Sequence, residues 1–189
     1  MDSESADLYY VLAAHLFYSS LKAVPSLVRN WWLECKDRQL SRAVASISNH
    51  CFSSLLISDE LAQLRSDSAT KELQGDGFRF KIASSSTEVT AIYSIDEQDM
   101  EIVLKFPPEY PLHGMEVKEV RRVGVTEDKW RSWLLAVQQT CQVCIHCLSV
   151  TLNDHFATQN GMVFDALTLF KRNASLHFEG KVDCAICYS

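Results

Sequence analysis

Two cysteines close to the end of the sequence have the spacing of a metal-binding pair. In "DCAICYS", Cys184 and Cys187 are separated by two residues, as neighbouring thiolates of tetrahedral zinc sites often are. A structural zinc ion needs four ligands, and no Cys or His follows Cys187. We therefore predict that the pair is half of a zinc site and that this chain binds no zinc.

A second group of candidate ligands lies in "TCQVCIHCLSVTLNDHF", which contains Cys141, Cys144, His146 and Cys147. If this stretch is helical, cysteines three residues apart progress slowly around one face, where a free Cys acts as a small buried hydrophobe. The neighbouring sequence offers no second pair of ligands. We interpret the stretch as an insertion and not as a zinc site.

The composition is that of an ordinary globular protein, with 47% of the 189 residues hydrophobic. The net charge of −6 argues against bulk electrostatic binding to nucleic acid, although it is compatible with a local basic patch. The start, "MDSESADLYY", is acidic where a secretory signal is basic, so we expect the seven cysteines to be reduced thiols. The longest stretch without charged residues, Ser132–Asn153, is too polar for a membrane span.

Residues 1–56 are predicted to be helical, because apolar residues recur there at helical spacing. Pro25 suits the first turn of a helix in "PSLVRNWWLEC". Trp31 and Trp32 are adjacent and cannot face the same way, so we expect one in the core and one against a neighbouring helix. The alternative is that one of them is an exposed anchor for a partner. His15 lies among apolar residues, and we expect it to be packed.

The pattern changes after Ser58, which we predict to cap a short helix, "SDELAQL", before a polar loop, "SDSATKELQGDG". Apolar and polar residues then alternate in four segments, which predicts antiparallel strands: "FRFKI", "EVTAIY", "MEIVLKF" and "MEVKEVRRVGV". Two helices follow, one after Thr126 and one from Gly161 to about Phe178. This order predicts an α+β fold with the helices on one face of the sheet.

The same order, with "FPPEYPLHG" after the third strand, resembles the RWD domain. RWD domains are similar in fold to ubiquitin-conjugating enzymes but lack their catalytic apparatus. Tyr110 and Pro111 match the Tyr-Pro of the RWD signature, whereas Met115 stands where a second proline is usual.

Several separate segments resemble the C-terminal region of the listerin family of RING-type ubiquitin ligases. In chain order they are "VPSLVRNWW", "DRQL", "YPL", "RRVGV", "WRSWLL", "QNG", "FEG" and "CAICYS". The resemblance implies that residues 1–56 end a HEAT-like helical array and that residues 57–178 are an RWD-like domain. Residues 179–189 would then be a linker and the truncated start of a RING. Residues 141–154 depart from the family and are predicted to be an insertion.

The resemblance also implies a function, as part of a ubiquitin ligase of ribosome-associated quality control in the cytosol. The RWD region would dock on the large ribosomal subunit, and the RING, folded around zinc in the intact protein, would recruit a charged ubiquitin-conjugating enzyme. Other subunits of the quality-control complex are expected partners, and a membrane is not. Since such a ligase acts by positioning a thioester, we expect no catalytic residue here and no activity of the truncated chain alone.

A basic run, Lys118, Arg121 and Arg122, is the candidate contact with ribosomal RNA or an acidic ribosomal protein. The alternative is a solvated strand edge, where charges deter edge-to-edge pairing. His113, in the bend after the third strand, is interpreted as a surface turn residue.

The sequence bears on two other functions. A non-enzymatic RWD interaction module remains the alternative, with the Cys-x-x-Cys incidental. An active ubiquitin-conjugating enzyme is excluded, because that chemistry needs a thiol soon after the Tyr-Pro turn and a His-Pro-Asn element that supports the oxyanion. His-Pro-Asn does not occur in the chain, and the first Cys after Tyr110 is Cys141.

Overall fold

The structure, a computed structural model, describes residues 3–95, 97–142 and 162–179. A helical region comes first and a sheet covered by helices follows, in the order that the sequence predicts. The first helices are α1 (Ser3–Ala23), α2 (Pro25–Glu34), α3 (Arg38–Ile47), α4 (Ser54–Leu64) and α5 (Asp67–Leu73). The remaining elements are β1 (Phe78–Ile82), β2 (Glu88–Ile95), β3 (Gln98–Lys105), β4 (Glu116–Arg121), α6 (Glu127–Gln142) and α7 (Met162–Glu179).

The helical region turns sharply at Pro25. This proline begins α2, where the missing N–H is not needed, and the axes of α1 and α2 meet at 109°. Asp37 begins α3 by accepting hydrogen bonds from the backbone N–H groups of Gln39 at 2.9 Å and Leu40 at 3.1 Å. Among the described helices, none is by itself long and apolar enough to cross a membrane; α1 and α2 pass that test only as a bent pair.

Two local predictions in this region were wrong. Ser58 does not cap a helix but lies inside α4, which a π-helical turn, Ser48–Ser53, joins to α3. The predicted polar loop contains α5, which begins after Ser66, whose Oγ accepts from the N–H of Ala69 at 3.3 Å. Ala69 and Leu73 of α5 are buried, so tertiary packing stabilises a helix that the polar composition had hidden.

The four predicted strands are confirmed as one antiparallel sheet in the order β1-β2-β3-β4. Phe78 lies opposite Tyr93, which lies opposite Met100, so the predicted apolar positions share one face. The turn before β1 requires Gly77, with φ of 77°, because a Cβ there would lie 2.6 Å from the carbonyl oxygen of Ser94.

Helices α6 and α7 cover that face, which confirms the predicted α+β, RWD-like fold. The ring of Phe170 in α7 lies 6.0 Å from that of Trp130 in α6 and 6.3 Å from that of Phe78 in β1. The predicted core positions of α7, namely Val163, Ala166, Leu167 and Phe170, are all buried.

One hydrophobic core crosses the predicted boundary between residues 56 and 57. Leu21 of α1 and Leu56 of α4 belong to the same buried cluster as Leu61, Leu64 and the sheet residues. The end of the helical region is therefore packed against the sheet domain and shares its core, and is not a separate unit joined by a flexible linker.

Candidate functional site

The bend between β3 and β4 holds the Tyr-Pro pair, which in a ubiquitin-conjugating enzyme would precede the reactive thiol. In this chain it is part of the core, with Tyr110, Pro111, Leu112 and Met115 buried and the Tyr110–Pro111 peptide bond cis. Met115, which replaces the usual second proline, is wholly enclosed. The bend is an ordered packing element and presents no nucleophile.

Polar contacts tie the bend to α4 and α7. The Tyr110 hydroxyl donates to Oε1 of Glu60 at 3.3 Å, and Oε2 of Glu60 accepts from the N–H of Val163 at 3.3 Å. The Tyr110 carbonyl accepts from Oγ of Ser53 at 2.5 Å. Burial raises the pKa of Glu60, and burial raises that of Tyr110 well above its usual range, so the pair favours its uncharged forms.

Arg29 of α2 makes a further connection that the sequence reasoning missed. Its Nε donates to the Pro111 carbonyl at 3.0 Å, and its Nη1 donates to the carbonyl of Gln142 at the end of α6. The side chain is buried although it is charged, and buried charges need partners. The signal in the sequence was an arginine on the same helical face as Pro25 and Trp32.

Cys141 is the first cysteine after the bend, and it lies in the last turn of α6. It is buried, and desolvation raises the pKa of its thiol to about 12. A thiol needs its thiolate form and access to solvent in order to react. Cys141 is therefore a packing residue, as its interpretation as a small hydrophobe predicted. Helix α6 thus extends over Cys141 and Gln142, the first residues of the predicted insertion.

The remaining metal candidates lie outside the described residues. These are Cys144, His146, Cys147, Cys184 and Cys187. Within the part of the chain that the structure does describe, no three His, Cys, Asp or Glu side chains are grouped so that they could hold a metal.

The basic run lies at an edge of the sheet. Lys118 and Arg121 are exposed on β4, and Arg122 follows its last residue. All three cations have acidic neighbours: Lys118 lies 3.7 Å from Glu116 and Arg122 lies 3.9 Å from Glu127. Arg121 lies opposite Glu101 of β3 in the sheet. The placement is compatible both with a partner contact and with a charged edge that deters pairing.

A second surface, on α1, α2 and α3, is apolar. A groove of about 600 Å³ runs between α1, α2 and α3, with walls that include Tyr10, Phe17, Leu27, Trp31 and Ile47. Trp31 is 48% exposed, whereas Nε1 of the half-buried Trp32 donates to the carbonyl of Ser41 at 3.0 Å. The two tryptophans thus face different ways, as predicted, but the expectation that one lies in the core and the other is packed was wrong, because Trp32 is only half-buried and Trp31 is exposed.

Two histidines can be compared with their predictions. His15 was expected to be packed, but it is exposed, so this prediction was wrong. His113 was interpreted as a surface residue of the bend, and it is exposed, although its ring also meets that of Trp32 at 4.9 Å.

Comparison with known families divides the chain into two matched regions. Residues 1–65 match the LTN1 family HEAT repeat region, and residues 78–177 match the family described as ubiquitin conjugating domain-like. The second match covers the sheet, α6 and most of α7.

Curated relatives match along nearly the whole chain, and each is named E3 ubiquitin-protein ligase listerin. The protein of Schizosaccharomyces pombe is 37% identical over 191 residues, covering 100% of this chain and 11% of the relative. That of Saccharomyces cerevisiae is 35% identical, covering 94% of this chain and 10% of the relative. That of Xenopus tropicalis is 33% identical, covering 94% of this chain and 9% of the relative. The chain spans about a tenth of the length of the curated relatives it matches.

Proposed function

Since this chain belongs to the listerin family, with a HEAT repeat region and a ubiquitin-conjugating-domain-like region, we propose that it serves a RING-type E3 ubiquitin ligase as the region that docks on the large ribosomal subunit. The ligase acts in ribosome-associated quality control in the cytosol. It ubiquitinates stalled nascent chains together with other subunits of the quality-control complex.

The observation that carries the proposal is a conjugating-enzyme-like fold whose Tyr-Pro bend has no reactive thiol. Tyr110 and Pro111 are held by Glu60, Ser53 and Arg29, and Cys141 is buried. A region built in this way contributes surface and position rather than covalent chemistry. Docking is the role that the resemblance to listerins implies for such a region.

In the intact protein, the RING would bind both zinc and the ubiquitin-conjugating enzyme. Cys184 and Cys187 fit one half of a tetrahedral zinc site by their residue type and spacing. In the intact protein they would supply two of the four ligands, and the metal would stabilise the fold of the RING. The chain's own two thiols do not complete the site, so we expect this chain alone to be inactive in ubiquitin transfer.

The alternative is a non-enzymatic interaction module with the same fold. The matches to listerins cover both the helical region and the sheet domain, and this favours the ligase. Metal analysis and a ubiquitin-discharge assay of this chain test the claim of inactivity. One tightly held zinc per chain, or discharge above the control without ligase, would contradict it.

Docking is tested by sedimentation of the purified chain with large ribosomal subunits. We expect the chain to co-sediment and expect Lys118→Glu combined with Arg121→Glu and Arg122→Glu to weaken binding, with a modest dependence on salt. The matched control reverses charge elsewhere, with Lys81→Glu, Lys71→Glu and Arg65→Glu at exposed positions. Failure of the unaltered chain to co-sediment would contradict docking, whereas equal loss in both triple variants would remove the β4 patch from it.

A further inference from the structure

Helix α2 faces two different parts of the molecule. Arg29 and Trp32 lie three residues apart on one side of the helix, and they contact Pro111 and His113 of the sheet domain. Leu27 and Trp31 line the apolar groove on the other side. Any change in how α2 sits on the sheet domain would therefore also move the groove.

The guanidinium of Arg29 joins two elements of the sheet domain to α2. Nε donates to Pro111 in the bend at 3.0 Å, and Nη1 donates to Gln142 at the end of α6. Carbonyls in the last turn of a helix have no partner within the helix, so Gln142 is a ready acceptor at the negative end of the α6 dipole. A planar, forked donor can serve both acceptors at once, which an ammonium on a flexible stem does less well.

Neighbouring contacts cross the same junction. The ring of Trp32 meets that of His113 edge to face at 4.9 Å, and Oγ of Ser53 donates to the Tyr110 carbonyl at 2.5 Å. These two contacts and the hydrogen bond from Arg29 to Pro111 converge on the bend, residues 107–115, from the helical region. The bend is thus the part of the sheet domain on which the helical region packs.

A buried charge is a poor means of gaining stability, because its desolvation offsets much of its attraction to partners. The side chain of Arg29 is nevertheless enclosed, with only 8% of the residue exposed. An apolar residue of similar size would fill the same space but would not fix the orientation of α2 relative to the sheet domain. Hydrogen bonds to two carbonyls are directional and do fix that orientation.

We propose that Arg29 is a positioning residue, which fixes the orientation of the helical region relative to the sheet domain and thereby the lysines on a stalled chain that the ligase reaches. The first half of this statement is independent of the proposed function. The second half rests on it, since it assumes that the sheet domain is docked and that the helical region belongs to the ligase.

The orientation is tested by a distance measurement between two spin labels on the purified chain. One label replaces exposed Gln39 in α3 and the other replaces exposed Ser85 in the β1–β2 turn, both introduced as non-natural amino acids so that the native cysteines stay unlabelled. We expect one narrow distribution of distances for the unaltered chain. Arg42→Met, at an exposed position of α3, is the matched control and should give the same distribution.

Arg29→Met should broaden and shift the distribution, and Arg29→Lys should have a smaller effect because lysine keeps the charge but not the fork. Circular dichroism reports whether each variant folds. An unchanged distribution in folded Arg29→Met overturns the proposal. If Arg29→Met does not fold, Arg29→Lys decides, and its identity with the unaltered chain overturns the proposal.

The consequence for ubiquitin transfer is read in a full-length ligase that carries this region, by mapping the ubiquitinated lysines of a stalled nascent chain. Arg29→Met should shift the pattern of modified lysines while co-sedimentation with large subunits is kept. An unchanged pattern together with a changed distance distribution overturns the second half of the proposal alone. Loss of co-sedimentation by the unaltered chain contradicts the proposed docking and leaves the distance result standing.

Discussion

The effect of burying an ionisable side chain on the stability of this protein can be tested most simply at Glu60. It joins Tyr110 in the bend to Val163 at the start of α7 while its own pKa is raised by desolvation, more than the hydrogen bonds it accepts lower it. The folded protein therefore holds the Glu60 proton more tightly than the unfolded chain does. Its contribution to stability is present below the ordinary pKa of a glutamate and is lost as the pH rises through the raised value.

Glu60→Gln should consequently stabilise the protein at pH 7 and have little effect near pH 4. Glutamine keeps one acceptor oxygen for the N–H of Val163, its amide N–H can donate to the Tyr110 hydroxyl, and it carries no charge to desolvate. We expect the melting temperature at pH 7 to rise by roughly 2–4 °C, which corresponds to about 1 kcal/mol in a chain of this size. Glu72→Gln, at an exposed position, is the control. A larger loss of stability at pH 7 than at pH 4 would show that the ionised form stabilises α7.

The reactivity of Cys141 provides a second test on a single residue, because it reports whether the thiol is buried. Its buried thiol, with a pKa of about 12, should resist alkylation in the native protein at pH 8, whereas exposed Cys51 should be modified. In denaturant both should react. Peptide mapping by mass spectrometry distinguishes the two sites in one sample. Modification of Cys141 as fast as Cys51 would mean that the thiol is accessible and would reopen a chemical role for it.

Helix α1 is apolar on more than one side, which is typical of a helix covered by neighbours on both flanks. Leu8 is 70% exposed, and Leu12 and Leu16 are 51% and 57% exposed along one line of the helix. The opposite line, with Tyr10 and Phe17, faces the groove. An apolar surface of this extent favours association with other molecules.

We therefore expect the isolated chain to self-associate, and Leu12→Gln with Leu16→Gln to shift it towards the monomer. The melting temperature should change little, because exposed substitutions cost about 0.5 kcal/mol or less. Leu21→Gln, in the last turns of the same helix but buried, should instead unfold the protein. Size-exclusion chromatography with light scattering reads the first effect. No change in mass for the double variant would place the association elsewhere.

The elements that could be predicted from sequence are those whose apolar residues repeat with one period. The alternation in Phe78–Ile82 and Met100–Phe106 predicted the strands, and the stripe Trp130, Trp133 and Val137 predicted α6. Helix α5 was missed because its composition is polar and only two of its residues are buried. The break at Ser58 was wrong because a residue suited to a cap also occurs within a continuous helix.

The contacts of the bend were less predictable than the bend itself. Prolines predicted an ordered turn after β3, but Arg29 lies 82 residues before the carbonyl that it contacts. No local sequence pattern predicts a contact between residues so far apart, because the contact depends on how the helical region packs on the sheet domain. The groups that converge there are recognisable only when the tertiary structure is known.

The whole molecule combines a shared core with an uneven surface. Its charge is −6 in total, yet one edge of the sheet carries the basic run and the face of α1–α3 is apolar. Because the core crosses from the helical region into the sheet domain, we expect both to be presented as one body. Under the proposed docking, this body should occupy the ribosomal site that an intact listerin uses.

The most direct test adds the purified chain in excess to a reconstituted reaction in which an intact listerin ubiquitinates a nascent chain stalled on large subunits. We predict that ubiquitination falls as the concentration of the chain rises, because the chain competes for the docking site. The variant with Lys118→Glu, Arg121→Glu and Arg122→Glu should inhibit less. Ubiquitination that stays constant, or that increases, at saturating chain would contradict the claim that this region docks without catalysing.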